Sequence, residues 1–365
     1  MSIEGNPPFF APNPEQIDRL STSNWCVSYS GGKDSTSVVV WIEWLRRAGR
    51  LSVAKPMLVQ SNTTVEDAHL QAISSEMMGV LRSCGWECAI VEPLIREKLY
   101  NRILGIGNTP VHPGSGRLMR WCTRATKIDP MSRWRKQHAS GLVITGLRLG
   151  ESANRDAKLR KRGLGCAAGG ECGIPPESDN TYSPLIDWTT CNVIDLLNGL
   201  VTREYCSLMV DVLPLTRQLV AIYDVALGQD GLFEEVAREV SSARFGCIGC
   251  PAISADRCAP KSTIRRNGIS SPLNEIYDVW FEARRRDNRL VNPETGGRGP
   301  IKMAVRKVLF DRIMGIQQRT GVVLITPEDE VFIRNCWANK VYPRGWSEAD
   351  ESNAVPPLKD SLFKD

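Results

Sequence analysis

Trp25-Cys26-Val27-Ser28-Tyr29-Ser30-Gly31-Gly32-Lys33-Asp34-Ser35 is an apolar run that ends in two glycines, a lysine, an acid and a hydroxyl. Val38-Val39-Val40-Trp41-Ile42 and a charged amphipathic stretch follow. The pattern predicts a strand over 25–29 handing over to a helix over 34–48. Adjacent glycines permit a tight turn with positive φ and close backbone approach to a ligand. Ser30, Lys33, Ser35 and the first free N–H groups of the helix then converge on one point, with the positive end of the helix dipole behind them. That geometry suits a pyrophosphate. Ser28, Ser30, Gly31, Gly32, Lys33, Asp34 and Ser35 are the candidate contacts, with Lys33 and Asp34 carrying the chemistry. The run is not the G-x-x-x-x-G-K-[ST] phosphate loop, because its glycines are adjacent and Asp34 precedes the hydroxyl.

Outward from this stretch, strands and helices alternate. Pro14 to Leu20 reads as a short helix, Val53 to Val59 as a second strand and Val65 to Cys84 as an amphipathic helix. Glu87 to Pro93 reads as a third strand, 105–118 as a loop, Arg124 to His138 as a helix and Gly141 to Gly146 as a strand. Such alternation means βαβ units and a mainly parallel, Rossmann-like α/β sheet with helices on both faces. Ligands of such sheets sit at the carboxyl ends of the strands. Ser61, Asn62 and Thr63, and also Leu147-Arg148, fall at such ends, and the first three are expected to line an adenine and ribose pocket. Beyond about residue 200 the pattern turns to helices and irregular segments, with helices expected over Pro300 to Thr320 and Pro327 to Trp337, the latter capped by Thr326. The expected division is a lead-in (1–24), a nucleotide domain (25–200), a helical C-terminal region with a cysteine-rich segment (201–345) and a tail (346–365).

With 365 residues and 42% hydrophobic content, the chain can bury a substantial core. No apolar run approaches the roughly 18 residues that span a membrane, so no membrane association is expected. The first residues, MSIEGNPPFFAPNPEQ, have neither the basic nor the apolar region of a signal peptide, so a cytoplasmic protein is expected. A net charge of +5 does not by itself argue for nucleic acid, but Arg117, Arg120, Arg124, Lys127, Arg133, Arg135 and Lys136 crowd one segment. Such a cluster either steers a polyanion or forms a solvated helix face.

Twelve cysteines in a chain of this kind need a reason other than disulfides. Cys26, Cys84, Cys88, Cys191, Cys206 and Cys336 lie in apolar or amphipathic contexts and read as small core residues. Cys247-Ile248-Gly249-Cys250, with Cys258 following, is loop chemistry; only three histidines exist to complement it, which favours an all-thiolate site. Iron–sulfur, zinc and redox use all remain open for these three. Cys122, Cys166 and Cys172 are candidates for a further ligand. Cys122 also sits among Arg117, Arg120, Arg124 and Lys127, surroundings that stabilise a thiolate, so it is a candidate sulfur acceptor. Arg148 and Arg155 follow a strand, and guanidinium forks are natural partners of phosphate oxygens.

Ser30-Gly31-Gly32-Lys33-Asp34-Ser35 resembles the PP-loop of ATP pyrophosphatases, which split ATP between the α- and β-phosphates. Gly146 to Arg155 resembles the G-x-R-x-x-E-S-x-x-R element of the phosphoadenylyl-sulfate reductase family, and Tyr182 to Trp188 with Val193 to Leu197 resembles its P-L-x-x-W-T…D-V element. The combination of S-G-G-K-D-S at 30–35, S-N-T-T-V-E at 61–66, R-W-C-T at 120–123 and R-F-G-C-I-G-C at 244–250 is similar to the DndC/SspD branch, the ATP pyrophosphatases of bacterial DNA phosphorothioate modification, with the SspD side favoured by length. Two C-terminal elements, Gly299-Pro300-Ile301 and Pro327 to Glu330, continue the likeness, which extends over about 300 of the 365 residues.

The resemblance implies an activity. ATP would adenylylate a DNA backbone phosphate, and sulfur from a cysteine desulfurase partner, working with other phosphorothioation proteins, would displace AMP. It also implies Mg2+ with the triphosphate, held in part by Asp34, and a 4Fe–4S cluster on Cys247, Cys250, Cys258 and Cys122. Two other classes compete: a sulfonucleotide reductase, which needs a mobile C-terminal cysteine, and a PP-loop tRNA thiolase, which needs an RNA-binding module.

Overall fold

The computed structural model describes residues 12, 14–53, 55–112, 120–138, 141–149, 181–227, 247–251 and 272–353. A short helix, α1 (Pro14–Thr22), leads into β1 (Trp25–Tyr29) and α2 (Lys33–Arg47), followed by β2 (Met57–Ser61), α3 (Ala68–Ser83) and β3 (Glu87–Val91). A helical stretch from Trp121 ends in α4 (Asp129–His138), then come β4 (Leu142–Ile144) and β5 (Thr181–Tyr182). The five strands form one sheet in the order β3-β2-β1-β4-β5, and every pairing is parallel. The expected α/β, Rossmann-like class is therefore what is observed. In this order the chain leaves β1 toward one edge and returns at β4 toward the other, so the crevice between the ends of β1 and β4 is the topological switch point.

Helix α2 carries Val38, Val39 and Val40, poor helix formers in isolation, yet all three are fully buried, and burial overrides propensity. The same core buries Glu43, which is tolerated because Arg46, Arg47 and the Trp86 indole all donate to its carboxylate, at 2.6, 2.8 and 2.7 Å. Helices α5 (Thr190–Asn198), α6 (Arg203–Leu208) and α7 (Leu213–Leu227) also contribute Val193, Leu196, Tyr205, Leu213 and Val220 to this first core.

A second core is built on α8 (Glu275–Arg284), α9 (Met303–Thr320) and α10 (Pro327–Ala338), and it takes in Leu99, Tyr100, Ile103 and Leu104 from the first half of the chain. Several boundaries shift by a few residues from expectation, among them the helix expected over Val65 to Cys84, which runs Ala68–Ser83, and two of the shifts have a visible cause. The second strand begins at Met57 rather than Val53 because pairing starts after Pro56, whose carbonyl accepts from Glu87 N at 2.9 Å. The long C-terminal helix begins at Met303, because Arg298–Ile301 (β7) is an antiparallel partner of Arg289–Val291 (β6). Helix α10 starts where expected, Thr326 accepting from Asp329 N at 3.2 Å while Asp329 accepts back from Thr326.

Candidate nucleotide site

The turn after β1 is built as its sequence requires. Gly31 has φ +73°, a conformation other residues rarely adopt, and a Cβ there would stand 3.1 Å from the Ser74 side chain. Gly32 caps α2 without offering a side chain, so the first turn of the helix keeps its N–H groups for other acceptors. Ser30 Oγ and Ser35 Oγ lie 2.9 Å apart, and Ser30 N donates to Ser35 Oγ at 3.2 Å. Lys33 is buried, and its Nζ contacts Asp34 Oδ2 at 2.7 Å. Ser28 lies within β1, in register with Val59, one step back from the turn.

The loop after β4 meets the same turn. A Cβ on Gly146 would come within 2.7 Å of the Asp34 carbonyl, so only glycine permits the backbones of the two loops to touch. Arg148 follows. Its expected role was a phosphate fork, but the guanidinium is 2% exposed and committed elsewhere. Nε donates to Asp34 Oδ1 at 2.7 Å, one Nη to the Trp188 carbonyl at 2.9 Å and the other to Thr190 Oγ1 at 3.5 Å. Two motifs far apart in sequence thus make one device: the Trp188–Thr190 segment holds Arg148, and Arg148 holds Asp34 against Lys33. Arg155 lies outside the described residues.

On the other side of the turn a pocket of about 200 Å³ is lined by Ser30, Gly32, Gln60, Glu66, Asp67, Leu70, Gln71, Lys127 and Tyr223. Gln60 and Tyr223 had no motif to announce them, and Glu66 entered only as the last residue of the 61–66 element. Gln60 is the last buried residue of β2, and Tyr223 arrives from α7. Glu66 pairs with Lys127 at 3.6 Å, and burial pushes the Glu66 carboxyl up while Lys127 opposes the rise. The basic helical stretch therefore borders the glycine turn after β1, through Lys127. It is pinned there by Ser61, whose hydroxyl donates to the Thr126 carbonyl at 3.1 Å.

Of the residues expected around adenine, Asn62 donates to Glu92 at 2.7 Å and accepts from Thr64 N at 2.9 Å, while Thr63 is fully buried. Thr63 Oγ1 lies 3.8 Å from Cys247 Sγ. Cys247 is anchored by its neighbour Ile248, whose N–H donates to Val65 O, and by Gly249, whose carbonyl accepts from the Trp280 indole at 2.6 Å. Cys250 closes this turn, its N–H donating to Cys247 O at 3.1 Å.

Cys122 lies close enough to Cys247 for the charge of Cys247 to bear on it. Arg117 lies outside the described residues, and among the described ones Arg120, Arg124 and Lys127 do not lower the Cys122 thiol as the density of charge in sequence suggested. Burial pushes its thiol up, and a neighbouring Cys247 thiolate would push it further. Lys127 acts on Cys247 instead, opposing a rise that is again mainly burial. Among the described residues no group of three or more His, Cys, Asp or Glu side chains is placed to hold a metal ion. Cys258, Cys166 and Cys172 lie outside the described residues. The described thiols thus do not by themselves make a cluster site.

No protein-family model matches the chain, and no curated protein matches it. Among solved structures, the chain is similar to the phosphoadenylyl-sulfate (PAPS) reductase from Candida auris in its phosphate complex. The match has 13% identity and a TM-score of 0.32, and it covers 53% of this chain and 89% of that one.

Proposed function

We propose that the protein is a PP-loop ATP pyrophosphatase that adenylylates a DNA backbone phosphate for sulfur incorporation. One observation carries the reading: the glycine-lined start of α2, whose N-cap Gly32 has no side chain, and the basic helix cation Lys127 line one pocket at the end of β1. Helix N-termini with free N–H groups favour anions, and a second cation facing the same space suits a second anion.

In this mechanism a non-bridging oxygen of a DNA phosphodiester attacks the α-phosphorus of ATP. The bond to the β,γ-pyrophosphate breaks, and the departing pyrophosphate is met by the Lys33 ammonium and the α2 N-terminus. The product is a mixed anhydride in which AMP is a good leaving group. The outer sulfur of a persulfide supplied by a desulfurase partner then attacks the DNA phosphorus and displaces AMP, and two thiols reduce the resulting P–S–S–R bond, releasing the phosphorothioate and the carrier thiol and leaving a disulfide. Asp34 is the residue that would hold a magnesium ion arriving with the triphosphate, since each of its oxygens has one cation partner and a further lone pair; the ion would neutralise triphosphate charge. No step passes through an iron–sulfur cluster.

No helix among the described residues is long and apolar enough to cross a membrane, and we place the reaction in the cytoplasm, where DNA and ATP meet. The test is direct: the purified chain is given ATP and duplex DNA, and AMP and pyrophosphate are measured. Turnover to ADP and phosphate, or none, overturns the reading. Arg124 is 79% exposed and absent from the pocket lining, so Arg124→Gln should weaken DNA binding at every sequence and lower the salt slope by about 1. An unchanged DNA affinity at low salt would make this segment a solvated helix face.

A further inference from the structure

The phosphate turn satisfies itself through a residue that no motif contains. Ser35 Oγ donates back to Gly32 O at 3.1 Å, and the Lys33 ammonium is folded onto Asp34. The Lys33 backbone N–H, the first of α2, donates to the Tyr223 hydroxyl at 3.3 Å. The same ring lies under the Lys33 side chain, with Nζ 5.6 Å from its centre. A Cβ built on Gly32 would stand 3.3 Å from the Tyr223 hydroxyl and 3.5 Å from Ser30 Oγ, so the phenol oxygen fills the concave side of the turn. Tyr223 is held there by Leu219 and Ile73, which pack α7 on α3. The pocket of about 200 Å³ that remains is too small for a nucleoside triphosphate, whose sites run to several hundred Å³.

We propose that Tyr223 is a positioning residue whose hydroxyl occupies the pyrophosphate seat of the turn, so that a nucleotide must take the Lys33 N–H from it and helix α7 thereby sets affinity for the triphosphate tail. This rests on the ATP pyrophosphatase reading of the same site. One N–H makes one good hydrogen bond, and a charged phosphate oxygen is a stronger acceptor than a phenol. The phosphate therefore wins, but its net affinity is lowered by the bond given up, about fivefold for one neutral hydrogen bond.

Calorimetric binding of inorganic pyrophosphate and of AMP to the full chain tests this, comparing the wild type with Tyr223→Phe and with Tyr223→Met. The latter keeps apolar contact with Ile73 and Leu219 without an aromatic ring. Both variants should bind pyrophosphate about fivefold more tightly, with AMP affinity unchanged because AMP lacks the β- and γ-phosphates. A merely structural loosening would move both ligands together. Pyrophosphate bound no more tightly, or less tightly, by variants that keep the wild-type melting temperature overturns the proposal and makes the hydroxyl inert or a donor to phosphate. If the wild type itself binds neither pyrophosphate nor ATP, the ATP pyrophosphatase reading falls first and this one with it.

Discussion

Each half of the molecule buries an arginine, and the two could hardly be partnered more differently. Arg148, in the sheet half, has a carboxylate, Asp34, at 2.7 Å beside the phosphate turn. Arg306, in the helical half, donates to the carbonyls of Ile301, Gly105 and Val341 at 2.8, 3.1 and 2.8 Å and to Met303 Sδ at 3.9 Å rather than to a carboxylate, with the Tyr342 ring 4.5 Å away. Its position forbids any side chain on Gly107, whose Cβ would lie 2.3 Å from the guanidinium carbon. Burial pulls the Arg306 guanidinium down to about 10, with Tyr342 and Glu351 opposing the fall, and it is still protonated at neutral pH. The difference separates two uses of a buried cation. Arg148 sets Asp34 beside Lys33, the two residues to which the proposed reaction assigns the chemistry, while Arg306 ties the 101–107 segment to α9 and the chain after α10.

The largest expected effect lies at the sheet half's own cation. Lys33→Ala removes the charge facing the leaving pyrophosphate and should raise the barrier by about 2–4 kcal/mol, with pyrophosphate release as the readout. Wild-type release from this variant would remove the phosphate turn from the mechanism. The helical half should respond in the opposite currency. Arg306→Met strands buried carbonyls and should lower unfolding stability by about 2–3 kcal/mol in urea, leaving turnover per folded molecule intact. A variant that unfolds normally but turns over slowly would collapse the distinction between the halves.

Arg148→Lys sharpens the same contrast on a smaller scale. A lysine keeps the charge but cannot reach Asp34, the Trp188 carbonyl and Thr190 together. Asp34 is then less firmly set against Lys33, and pyrophosphate release should slow about tenfold, on the scale of one charged hydrogen bond. Stability should change little. If release is unchanged while stability drops, Arg148 is another staple like Arg306.

Much of the sheet half was legible because its signals are local. The strand, the two glycines and the helix of residues 25–47 follow from periodicity and backbone permissiveness alone, and the parallel sheet follows from repetition of that unit. The Thr326 cap was legible for the same reason. What could not be read were meetings between distant segments. Nothing near Arg148 in sequence says that Asp34 is its partner, and the expected fork became a buried support. Tyr223 reaches Lys33 across 190 residues, and Gln60 looks like any strand residue until its neighbours are known. Charge density around Cys122 misled because side-chain direction, not proximity in sequence, decides which thiol a cation serves. The short hairpin of β6 and β7 was hidden by the Pro300 that precedes the helix.

The smallest effect is expected where the two halves touch, at the thiols. Cys247 leans on Thr63 from the sheet and, through Gly249, on Trp280 from the helical core. Burial raises both Cys247 and Cys122, so each is protonated at neutral pH and forms its thiolate only above the ordinary thiol range. The sign for stability follows from the raised direction. The neutral thiols favour the fold below the ordinary thiol pKa of about 8.5, and that contribution is lost as pH rises through the higher folded values. Iodoacetamide labelling read by mass spectrometry should therefore modify exposed Cys191 first and reach Cys247 and Cys122 only at alkaline pH. Lys127→Met should delay Cys247 further and leave Cys122 unmoved, because Lys127 acts on the former and not on the latter. Labelling of Cys122 at neutral pH as fast as Cys191 would restore the activated thiolate that its arginine-rich sequence suggested and make it, rather than Cys247, the thiol to follow in sulfur transfer.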